Sequence, residues 1–273
     1  MGPFVRQLLL ESVLVPFVLA SLLVLPTRWP SRFAIAPVTA LALLAALGGA
    51  YLLIVGWPAL PPVGARQKIL YSAIIGMSTG MVMDRNWSWS ARLSAATSIL
   101  IPVWIGWSSI AAAQPKAIVL LMPMAVGLWM THHIDRTRPA TVRSTIMLIT
   151  LAIGLGVIAV SARTISLAAL GLALAAALGG ILLVGSRPPA VVAPIAATTF
   201  LVALAAALSV YSTANVLALG ALVLVLAADP LITHFGHTWS TMRQRLLFGV
   251  FCLIPALVAL SIVQIDGGIN PLY

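Results

Sequence analysis

Apolar stretches of bilayer-crossing length recur along this chain, and no hydrophilic interval between them is longer than about 20 residues. That pattern leaves no room for a water-soluble domain. The composition agrees: 62% of the residues are apolar and 7% charged, where a soluble domain carries about a quarter charged residues. Mean hydropathy is +1.12. The reading is therefore all-α, a polytopic transmembrane helix bundle of about ten helices forming a single integral membrane domain over residues 1–273.

Segment 1 runs from Arg6 to Leu25 through Pro16, segment 2 from Phe33 to Val55, segment 3 from Ile69 to Met83, segment 4 from Leu93 to Ala113 and segment 5 from Ala117 to Met130. Segments 6 and 7 cover Ser144 to Val160 and Ile165 to Val184, and segment 10 covers Leu246 to Gln264. Ala190 to Ala228 is unbroken and apolar; as one helix it would be about 60 Å long, twice a hydrocarbon core of about 30 Å. It is divided at Tyr211-Ser212-Thr213-Ala214-Asn215 into segments 8 and 9. Segment 3, at about 15 residues, reaches only about 22 Å, so its helix starts earlier or thins the bilayer. Arg6 ahead of an apolar run imitates a signal peptide, but no small-residue cleavage site follows, and the run reads as a retained first helix.

The most polar interval, Thr131 to Arg143, lies near the midpoint and separates two halves, 1–131 and 144–273. Residues 42–58, ALLAALGGAYLLIVGWP, resemble residues 173–188, ALAAALGGILLVGSRP. These belong to segments 2 and 7, five apart and so oppositely oriented, which is the relation expected of an inverted five-plus-five repeat. The paired glycines Gly48-Gly49 and Gly179-Gly180 also have a simpler meaning, close helix approach.

The net charge of +10 is spread over nearly every loop, with no basic tail or basic helix face, so nucleic acid is not the expected partner. Anionic lipid is. Of the 15 Lys and Arg residues, all but Arg6, Arg66, Lys68, Lys116 and Arg163 fall on the face of the odd-numbered loops. The bias places those loops in the cytoplasm and both termini outside.

Polar chemistry has few sources. His132, His133, Asp135, His234 and His237 share one membrane face with Asp84 and Asp229 and could supply nitrogen and oxygen ligands to zinc or iron. The spacing is not that of a zincin, because His234 and His237 are three apart and carry no glutamate. His132 and His133 would diverge by about 100° on a helix. Interfacial histidines without metal are the plainer reading, and no cofactor is expected. Asp229-Pro230 reads as a helix exit. Within the membrane Glu11 is the one carboxylate expected inside a helix, and Ser72, Ser78 and Thr79 are the hydroxyls that could join it in binding a solute.

These features favour a non-catalytic membrane subunit or scaffold with membrane-protein partners. The alternative is a five-plus-five carrier of a small neutral or lipophilic solute, and a third reading is an interfacial metal-dependent enzyme. Short loops suit a bacterial inner membrane.

Overall fold

The computed structural model describes residues 3–28, 35–62, 64–85, 89–136, 141–185, 191–235 and 241–269. Among them the chain is 90% helical, without strands. The elements are α1 (Pro3–Leu9), α2 (Val15–Val24), α3 (Ile35–Ile54), α4 (Ala65–Arg85), α5 (Ser90–Ala111), α6 (Leu121–Arg136), α7 (Thr141–Ser161), α8 (Ile165–Val184), α9 (Val192–Tyr211), α10 (Val216–Val223), α11 (Ala228–Phe235) and α12 (Thr241–Ile269). A π-helical turn at Leu10–Leu14 joins α1 to α2, a 3-10 turn at Pro115–Leu120 leads into α6, and another at Leu224–Ala227 joins α10 to α11. The result is ten helical rods, seven of them long and apolar enough to cross a membrane.

Helix boundaries extend past the apolar ones. Segment 3 becomes α4, whose 21 residues reach about 31 Å. The extra turn comes from Ala65 to Lys68, so length is recovered by an earlier start. Likewise α6 runs to Arg136, taking His132, His133 and Asp135 into the helix. The expected break between segments 8 and 9 is present: α9 stops at Tyr211, and the Asn215 side chain caps α10 by accepting from Leu217 N (2.8 Å) and Ala218 N (3.4 Å). That cap satisfies donors a helix start leaves unpaired.

At the centre is α9, whose span is 94% buried, against 22% for the first rod and 17% for α12. A helix apolar on all sides belongs in the interior. Against α9 packs α4, which carries Ser72, Gly76 and Gly80 at four-residue spacing. A Cβ built on Gly76 would meet Thr199 and Ala196, and one on Gly80 would meet Val192. Rising numbers on one helix therefore meet falling numbers on the other, which makes the pair antiparallel. Small residues allow this approach where side-chain bulk would hold the axes apart.

Helix α2 lies against both α3 and α8. Gly49 touches Leu19, and Gly180 sits against the Phe17 carbonyl and Ser21. The glycine pairs singled out in the sequence thus face one common helix, and Gly48 and Gly179 have open space beside them.

Candidate functional site

Near one end of the bundle three helices bring a carboxylate, a guanidinium and an imidazole together. The Arg143 guanidinium, on the first turn of α7, donates to Asp229 Oδ1 at 3.3 Å. His133 Nε2, on the last turn of α6, is 3.6 Å from Asp229 Oδ2. The Asp229 side chain is 11% exposed, that of His133 12% and that of Arg143 35%. A carboxylate withdrawn from water is costly unless partners compensate, and here two are in place.

Local sequence explains each position. Nothing between Thr131 and Arg136 breaks a helix, so α6 continues through them, and buried Thr131 returns its hydroxyl to the Gly127 carbonyl at 2.8 Å. His133 lies one turn beyond Trp129, and the two rings stack with centroids 4.9 Å apart and planes 6° from parallel. Residues four apart on a helix are neighbours. Asp229 was expected at a helix exit. It stands instead inside a helical rod, because the 3-10 turn Leu224–Ala227 runs on into α11 without a break, and Pro230, which lacks an amide donor, is tolerated where the 3-10 turn passes into the α-helix. Asp229 also lies within the apolar helix Val216–Ile232, so Glu11 is not alone as a helical carboxylate.

The neighbouring residues diverge as helix geometry requires. His132 is exposed, Asp135 is half-buried, and Asp84 is exposed at the end of α4. His237 and the side chain of His234 lie outside the described residues. Among the described residues no three His, Cys, Asp or Glu side chains converge as a metal set.

About two turns deeper on the same face of α6 as His133 comes Val126, since seven residues nearly complete two turns, and Leu222 precedes Asp229 by seven residues across the 3-10 turn. They line an apolar cleft between α6, α7, α9 and α10, together with Leu151, Leu155, Leu201 and Ser209. Its volume is about 30 Å³, room for one water-sized molecule. The Ser209 hydroxyl is returned to Ala205 O at 2.7 Å.

No family model, curated protein or solved structure matches this chain. The site's chemistry is accordingly read from its own geometry.

The four residues expected to bind a solute are separated. Glu11, on the π-helical turn, accepts from Gln7 Nε2 at 2.8 Å and borders a cleft of about 220 Å³ beside Ile54 and Ile165. Ser72 and Thr79 are buried on α4, and Ser78 is exposed on it. Ser72 donates to Ile69 O and Ser78 to Ile74 O; none of the three lines a described cavity.

Sequence reasoning missed the roles of Arg143 and Trp129, although the Trp129-to-His133 spacing of four was there to be read. It also missed a recess of about 570 Å³ at the opposite end of α7, bordered by Arg66, Lys68, Thr164 and Tyr211. The Arg66-x-Lys68 pair at the start of α4 was its one visible trace.

Proposed function

We propose that the protein is a carrier for a small neutral or lipophilic solute, working in a bacterial inner membrane through two halves of five crossings each. The observation that carries the reading is the Asp229, His133 and Arg143 cluster standing over the apolar cleft. Ionisable groups inside a membrane span are expensive to keep, and pathways are where they are tolerated. In this reading the cluster is a gate: separating α11 from α6 and α7 opens the cleft to that end. The lining of Val126, Leu151, Leu222 and their neighbours suits an apolar cargo.

Chain topology supports the halves. The third crossing of each, α4 and α9, meets its counterpart antiparallel at the bundle centre. Consecutive crossings pack as hairpins in both halves, α2 on α3 and α5 on α6 in the first and α7 on α8 and α10 on α12 in the second, whereas α2 packs on α8 without a comparable contact of α7 on α3 among the described residues. The outward apolar faces of α12 and the first rod fit lipid contact, and a scaffold subunit would share them. The gated cleft is the feature a scaffold would not need.

One-sided labelling tests the reading. With the single cysteine Cys252 replaced by alanine, Ser209→Cys is exposed to a charged, membrane-impermeant methanethiosulfonate in right-side-out and then inverted vesicles. A carrier yields modification from each side. Protection from both sides would refute it and return the weight to the scaffold.

A further inference from the structure

The recess at the end of the bundle away from Asp229 has no part in the proposed gate. It lies between α4, α5, α8 and α9, and Ala207 and Tyr211 line it. The apolar cleft is lined by Ala205 and Ser209, which two-residue steps along a helix place on the other side of α9. The two cavities are therefore separated by that helix.

The recess combines two cations with an apolar wall. Arg66 and Lys68 come from the first turn of α4, while Val55, Leu167 and Trp107 supply the apolar surface. No carboxylate lines it, and among the described residues neither cation takes part in an ion pair. Lys68 Nζ donates to Trp104 O at 2.8 Å and lies 5.5 Å from the Trp104 ring centroid. That contact orients the ammonium and uses one of its three donors. Tyr211 is held in turn by Ile105 O at 2.9 Å and Ser108 Oγ at 2.7 Å. Arg66 is exposed and makes no hydrogen bond among the described residues, so its donor fork is free to take an oxyanion in two-point fashion.

From this we infer that the recess is a binding site for a phosphate-bearing amphiphile. The phosphate is taken by Arg66 and Lys68, and the apolar body lies against Trp107, Val55 and Leu167. Its volume of about 570 Å³ falls in the range of ligand sites, about 300–1,000 Å³. A Trp-lined wall at the end of a membrane helix stands at headgroup depth. The same chemistry is offered by an anionic lipid and by a soluble aryl or alkyl phosphate.

Delipidated full-length protein in a neutral detergent tests the site with two probes. Phenyl phosphate, titrated while thermal unfolding is followed, reports a soluble source. Native mass spectrometry with dioleoyl phosphatidylglycerol against dioleoyl phosphatidylcholine reports a lipid source. Saturable binding of phenyl phosphate, or selective retention of phosphatidylglycerol, is the expected result; which of them occurs identifies the source. Arg66→Gln with Lys68→Gln should weaken the bound probe by about tenfold or more. Arg66→Lys with Lys68→Arg, which keeps both charges, should retain most of the affinity and controls for folding. Lys116→Gln, exposed at the same end but outside the recess, should bind as the parent does. Binding of neither probe, or equal binding by the Gln pair and the parent, would overturn the assignment. Either result leaves the Ser209→Cys labelling outcome untouched, so the site and the carrier reading fail independently.

Discussion

Gly76 and Thr199 touch so closely that a Cβ on the glycine would overlap the threonine hydroxyl oxygen. It would also lie 3.0 Å from the Ala196 Cα, backbone that cannot swing aside. Gly76→Ala should destabilise the protein by about 1–3 kcal/mol through forced separation of α4 and α9. Thr199→Ala removes the nearest atom, so the double substitution should recover part of the loss. A double-mutant cycle on thermal unfolding in detergent measures the coupling; strictly additive losses would mean the two helices do not meet there.

Asp229 compensates Arg143 and His133 together, so its removal should cost more than removal of either partner. Asp229→Ala removes the carboxylate that Arg143 and His133 both face, and about 1–3 kcal/mol is expected, below the figure for a fully buried pair because Arg143 is partly open to solvent. Asp229→Asn keeps an acceptor and should fall in between. His133→Ala leaves the Asp229 to Arg143 contact intact and should be the mildest. The order is read from unfolding midpoints, and equal effects of all three would contradict the arrangement.

The number of rods was legible because hydrocarbon thickness fixes how long an apolar run can be before it must turn. The Ala190 to Ala228 interval shows this: length demanded a break, Tyr211 to Asn215 was the polar place for it, and Asn215 proves to be the cap of α10. Helix ends were less legible, because apolar character ends at the membrane surface while a helix ends where its backbone is interrupted. Hence α6 continues six residues beyond Met130. The site was legible as an inventory and illegible as a geometry. His133 and Asp229 were named as sharing a face of the membrane, but that α11 turns Asp229 inward depends on contacts 86 and 96 residues distant in sequence. Ser72 and Ser78 illustrate the converse: a helix can satisfy a hydroxyl through its own preceding carbonyls, so a polar residue in a span needs no ligand. The Gly76-x-x-x-Gly80 spacing was readable and marks the close approach of α4 to α9.

Tyr51 gives a different kind of test. Its side chain is fully buried and its hydroxyl finds no hydrogen-bond partner among the described residues. An unsatisfied buried donor costs about 1–3 kcal/mol, so removing the oxygen while keeping the ring should relieve strain. Tyr51→Phe is expected to raise the unfolding midpoint or leave it unchanged. A fall of several degrees would mean that the hydroxyl is bonded.

The glycine pairs make a sharper case, since sequence treats their members alike and the structure does not. Gly48 and Gly179 have nothing within 4 Å of an added Cβ. For them the substitution to alanine gains helix propensity of about 0.5–1 kcal/mol without a clash. At Gly180 the Cβ would fall 2.7 Å from the Phe17 carbonyl oxygen and 2.8 Å from Ser21 Oγ, and α2 would have to move. Gly179→Ala should therefore stabilise and Gly180→Ala destabilise, by about 1–3 kcal/mol in the latter case. Gly49, with a Leu19 methyl at 3.1 Å, can be accommodated by a side-chain shift, and its alanine variant should be close to neutral. Opposite signs at adjacent positions cannot come from composition or propensity, so unfolding of the four single variants reads out the packing of α2 between α3 and α8 directly.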